Sequence, residues 1–102
     1  MVVETLRQEA QRYLSDVPAE YVFWVNDGCI LHSIKELGEE FKNMSEEAYR
    51  YHANDEKNDF VTWVRDVIGD ATLVRELKKA SGKTQAAKAV SNRMSLLSKR
   101  LA

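Results

Sequence analysis

The chain has 102 residues, of which 44% are hydrophobic and 30% charged, and its formal net charge is −1. That balance fits one globular domain with a core of modest stability and excludes disordered or collagen-like chains. No apolar run nears the roughly 18 residues of a membrane helix. The start, MVVETLRQEAQRYL, lacks the apolar stretch of a signal peptide, and Cys29 is the lone cysteine; both lead us to expect a cytoplasmic protein.

The small net charge hides an asymmetry. Residues 1–76 carry all 16 acids and 8 of the 15 bases, a net of −8. Residues 77–102 carry no acid and seven bases: Lys78, Lys79, Lys83, Lys88, Arg93, Lys99 and Arg100. A basic tail on an acidic body bears on partners or self-docking rather than on fold.

In chain order, Val3–Ser15 reads as a first helix, with Leu6, Ala10, Tyr13, Leu14 and Val17 on its inner face. Asp16-Val17-Pro18 ends it, because a residue before proline avoids the helical region. Tyr21–Val25 is all aromatic or β-branched and predicts a strand. Asn26-Asp27-Gly28 supplies turn chemistry, and Cys29-Ile30-Leu31 a return strand. There Cys29 is expected to be a buried, inert thiol. A lone hairpin is marginal in water, so it must lie on helices.

Ser33 and Glu36 fit a capping box ahead of a helix with Ile34, Leu37, Phe41 and Met44 inward. Gly38 inside that helix costs about 1 kcal/mol against alanine, which points to a close contact. Ser45 caps a short helix, Glu46–His52. Asn58 then caps the helix we expect to be central, whose Phe60, Trp63, Val64, Val67 and Ile68 form one broad stripe. Gly69 stops it. Asp70 caps the next helix, with Leu73, Val74, Leu77 and Ala80 inward, and Ser81-Gly82 ends that one in the manner of a glycine C-cap. Thr84 is expected to cap a last helix to about Leu101, with a narrow Ala87, Val90, Met94, Leu97, Leu101 seam.

The predicted fold is therefore α+β, mostly α: a short N-terminal helix, one β-hairpin, then about four helices around a Trp-bearing one. We expect a single domain over 1–102, with a motif-bearing core at 20–77 and a basic C-terminal helix at 83–102 as a dimer or docking element.

Three stretches carry a resemblance: Tyr21–Leu37, Tyr51-His52-Ala53-Asn54, and Asn58–Asp70. Read as H-x-N followed by N-D-F-x-x-W-V-x-x-V-x-G-D, they resemble a small archaeal and bacterial domain family of unknown function. The resemblance covers about residues 20–77 and implies a domain boundary and no activity. Each motif residue also has a structural use. Asn58 and Asp70 can cap helices, with Asp59 in the first turn of one. Phe60 and Trp63 can fill a small core, Gly69 can separate two helices, and His52 and Asn54 can tie down the preceding loop.

Catalytic and metal chemistry is thinly represented. His32, His52 and Cys29 occur without H-x-x-x-H, C-x-x-C or H-E-x-x-H spacing. The acidic loop 55–59 lacks the glycine and final glutamate of an EF-hand. No nucleophile elbow occurs, Asp66 and Asp70 form an i, i+4 pair explained by capping, and the four glycines are single, so no phosphate loop exists. We expect no catalytic, cofactor or metal site. The expected function is a non-enzymatic interaction or oligomerisation module, acting through Lys88, Arg93, Met94, Leu97, Lys99, Arg100 and Leu101 of the last helix on a protein partner or a second copy. The alternative is nucleic-acid binding through the same basic helix.

Overall fold

The computed structural model describes residues 4–102. The first helix, α1, spans Leu6–Leu14. Val3, expected at its start, lies outside the described residues. Thr5 caps α1 in a reciprocal box: its Oγ1 accepts the Gln8 N–H and Gln8 Oε1 accepts the Thr5 N–H. Ala10 and Tyr13 face inward, whereas Leu6, expected inside, is 66% exposed. A 3₁₀ turn over Ala19–Tyr21 follows.

The hairpin is shorter than the apolar run suggests. Its strands, β1 (Phe23–Trp24) and β2 (Ile30–Leu31), pair antiparallel with Phe23 opposite Leu31 and Trp24 opposite Ile30. Tyr21 and Val22 are therefore not strand, because the chain leaves Pro18 through the 3₁₀ turn instead. The side-chain alternation of a strand puts Phe23 and Leu31 in the core and Trp24 and Ile30 outside. Gly28 sits at φ +100°, the left-handed region its missing Cβ allows. Cys29 is exposed rather than buried: it ends the turn, with its N–H on Asp27 Oδ1 at 2.9 Å.

Five more helices follow: α2 (Ile34–Asn43), α3 (Glu46–His52), α4 (Asp59–Trp63), α5 (Ala71–Lys79) and α6 (Lys83–Leu101). Ser33, Ser45, Asn58 and Asp70 each accept the N–H expected of an N-cap. The Ser33 box is incomplete, since the Glu36 carboxylate turns back to the His32 N–H. A π-helical turn, Val64–Ile68, extends α4 and closes with Gly69 N–H on Val64 O at 2.7 Å. The wider turn shifts the apolar stripe. Val61 joins Phe60, Trp63, Val64 and Ile68 inside, and Val67 is only half-buried. Gly69, at φ +83°, ends it as expected.

Gly82 does not end α5. Ala80 caps that helix in extended conformation, and Gly82 is itself extended and precedes the first residue of α6, so Thr84 is not the cap.

The largest departure is the position of α6. It packs along α2 and also touches α1 and α5. Ala87, Val90 and Leu97 are buried, and Met94 and Leu101 lie partly buried against the core. The seam is thus core rather than an exposed appendage. Gly38 shows why. A Cβ there would stand 2.8 Å from Val90 Cγ1, so α2 and α6 can approach this closely only over glycine.

The mostly helical α+β class is met, with six α-helices and one hairpin among the described residues. The Trp-bearing helix is central to an aromatic cluster. Phe60 stacks on Phe23 and Tyr49, with ring centroids 5.2 and 5.7 Å apart, and meets Phe41 edge-on at 4.9 Å.

Candidate functional site

Two surfaces are built with more care than a solvated exterior needs. The first is the outward hairpin face. Trp24 is 66% exposed, Ile30 opposite it 38%, and Tyr21 55%. The hairpin beneath them is held rigidly. Asn26 in the turn donates its N–H to His52 Nε2 at 3.0 Å. An acceptor at Nε2 requires the ring proton at Nδ1, which faces Asp59 Oδ2 at 2.9 Å. Burial pushes the Asp59 carboxyl up, but the hydrogen bonds from His52 and Lys57 outweigh it and hold it below its ordinary value. His52 is itself buried, with Phe23 and Phe60 against its ring. Trp63 Nε1–H adds a 2.7 Å bond to Tyr21 O, and Val17 N–H one of the same length to His32 O.

The motif residues therefore converge on the base of the hairpin and on helix ends. Asn54 Oδ1 accepts the N–H groups of Glu56 and Lys57, closing the loop before α4. Asn58 Oδ1 accepts Val61 N–H. Asp70 does more than cap. Its Oδ1 accepts Leu73 N–H at 3.2 Å, while Arg93 Nε and Nη2 donate to its two oxygens at 2.8 and 3.0 Å. Both side chains of this fork are buried.

Arg93 is thus withdrawn from the candidate contact set and pinned inside the protein, with the Tyr13 ring 5.8 Å away. Leu97 is fully buried and equally unavailable. Arg100 bonds Glu9 at 3.0 Å, and Arg7 of α1 donates to Leu101 O at 2.9 Å. Part of the basic tail therefore neutralises the protein's own acidic body. Of the expected contact residues, Lys88 and Lys99 stand exposed, and Met94 and Leu101 partly so.

The second surface is the groove between α2 and α6. It holds two adjoining cavities of about 230 and 440 Å³. Gly38, Phe41, Ala87 and Val90 contribute its floor, and Lys35, Lys42, Lys83 and Lys88 its rim. Glu39 also lines one end. Lys83 Nζ donates to Met44 O at 2.7 Å.

Sequence spacing missed one cluster, because Glu40 comes from another element. Among the described residues, Asp27, Cys29 and Glu40 bring ligand atoms within 4.8 Å of one another and could hold a metal. The carboxylates of Glu40 and Asp27 push the Cys29 thiol up to about 11. Burial and Asp27 raise the Glu40 carboxyl. Both shifts run against the proton loss that cation binding requires.

Comparison with protein-family models, with curated proteins and with solved structures finds no match for the chain. Among the described residues, no helix is long and apolar enough to cross a membrane.

Proposed function

We propose that the chain is a small, non-enzymatic interaction module of the cytoplasm that presents the outward hairpin face to a protein partner. The observation that carries this reading is Trp24, two-thirds exposed on a hairpin whose base is fixed by His52, Trp63 and the Val17 N–H. Tyr and Trp are enriched where proteins meet, and an anchor already held in place loses little freedom on binding. The H-x-N and N-D-F-x-x-W-V motifs support the further reading that this is one of the small prokaryotic domains they resemble, with the motif devoted to the scaffold.

The test is comparative affinity capture from a native extract, with wild type and Trp24→Ser as paired baits. Partners retained by wild type and lost from the variant are expected. A captured set that does not change would end the hairpin reading.

Nucleic-acid binding is the second reading, favoured by the lysines that line the α2–α6 groove. The internal pairing of Arg93 and Arg100 leaves it fewer cations than the sequence offers. Binding of random duplex DNA at about 50 mM salt, falling steeply as salt rises, is its signature.

A further inference from the structure

The two surfaces described above are opposites in charge and in shape. The hairpin face projects an apolar pair, Trp24 and Ile30, with Glu20 in the turn before it and Asp27 at its tip. The α2–α6 groove is concave, with an apolar floor and a lysine rim. Lys35, Lys42 and Lys88 have no carboxylate within ion-pair distance among the described residues. Arg12, Arg65, Arg93 and Arg100 are paired, whereas Arg7, Arg50, Arg75, Lys78 and Lys99, like the rim lysines, have no carboxylate within ion-pair distance among the described residues. The floor residues Gly38, Phe41, Ala87 and Val90 are themselves buried, so the apolar area left open between the lysines is small, and a polyanion would engage the lysines without covering it. An acid-flanked apolar knob satisfies both.

We propose that the hairpin of one copy docks in the α2–α6 groove of a second copy. Trp24 and Ile30 lie against the floor, and Glu20 and Asp27 lie beside the rim lysines. The occupant is a second copy because the same chain carries the complementary surface: the acids Glu20 and Asp27 flank the apolar pair of the hairpin, and Lys35, Lys42, Lys83 and Lys88 line the groove. The assignment rests on the hairpin being the contact face. Two different patches meet, so the interface is heterologous. A single such contact repeats from copy to copy, closing into a ring or extending as a chain, whereas reciprocal seating of both hairpins closes a two-fold dimer.

The interface predicts complementation between two failed variants. Trp24→Ala destroys the knob and keeps the groove; Lys42→Glu/Lys88→Glu destroys the groove rim and keeps the knob. All three substituted side chains are exposed, and circular dichroism confirms folding before use. Lys42→Gln/Lys88→Gln serves if the charge reversal perturbs α2. In sedimentation at low salt, wild type is expected to rise in mass with concentration and each variant to stay at monomer mass. Their equimolar mixture is expected to form a dimer, since one intact knob meets one intact groove. A monomeric wild type at millimolar concentration, or a mixture that stays monomeric, overturns the proposal. Should Trp24→Ala still associate while the lysine variant does not, the hairpin reading fails as well. The reverse pattern leaves the hairpin as contact face and removes the groove as its seat. DNA binding lost in the lysine variant, with wild type monomeric throughout, assigns the groove to a polyanion and overturns the proposal.

Discussion

Replacing Asp70 by alanine removes a helix cap and the sole carboxylate partner of a buried guanidinium among the described residues. The cap alone is worth about 1 kcal/mol. Leaving Arg93 buried and unpaired costs about 3–5 kcal/mol more. The sum, about 4–6 kcal/mol, is comparable with the whole stability of a small domain, roughly 5–15 kcal/mol. Asp70→Ala should therefore lose about 4–6 kcal/mol, enough to unfold the protein at 25 °C only if its stability lies at the low end of the roughly 5–15 kcal/mol range. Asp70→Asn keeps an acceptor for Leu73 N–H and stays measurable, while Arg93→Met removes the cation and keeps most of its volume. Urea unfolding followed by far-ultraviolet dichroism is the assay. The double variant Asp70→Asn/Arg93→Met should lose at least about 2 kcal/mol less than its two single variants added together, because it leaves neither charge stranded. Strict additivity, or an Asp70→Ala cost near that of a cap, would refute the buried fork.

Three further outcomes are expected. His52→Ala strands the Asn26 N–H and empties a ring-sized space, costing about 2–4 kcal/mol and speeding hydrogen exchange at Asn26 before the core opens. The Asp59 carboxyl is held low in the folded protein, so its stabilising contribution is present above its unfolded value of about 3.9 and is lost as pH falls through the lower folded value. Asp59→Asn should flatten that acid limb in unfolding curves taken from pH 6 to pH 2. With the Cys29 thiol pushed up to about 11, alkylation at pH 8 should run on the order of a hundredfold slower than for an ordinary exposed cysteine, and Glu40→Gln should recover part of that rate.

Much of the scaffold is legible in the sequence because its signals are local. The caps at Ser33, Ser45, Asn58 and Asp70 each act within three residues, and all four are where the residue types put them. Gly38 reads correctly as a close approach, although only the fold shows that Val90 is what approaches. The misses are long-range. An apolar seam on α6 looks the same whether it awaits a partner or packs on α2. Arg93 looks like a surface base until a carboxylate 23 residues earlier in the chain is brought to it. Tyr21–Val25 has strand propensity throughout, but the turn entered from Pro18 leaves only two residues to pair. The lysine-rimmed groove likewise needs α2 and α6 side by side before it exists.

The fork between Asp70 and Arg93 has a consequence for synthesis. On the ribosome, Asp70 emerges well before α6, and a nascent chain halted at Ser81 holds a carboxylate destined for the interior with no cation to meet it. Leu37, Phe41 and Gly38 likewise wait for the helix that covers them. Early elements can form as local helices, but the packed state is withheld until α6 clears the exit tunnel. Synthesis of α6 thereby acts as a checkpoint on folding, and fragments that stop short of α6 should be cleared by proteolysis rather than persist as partial modules.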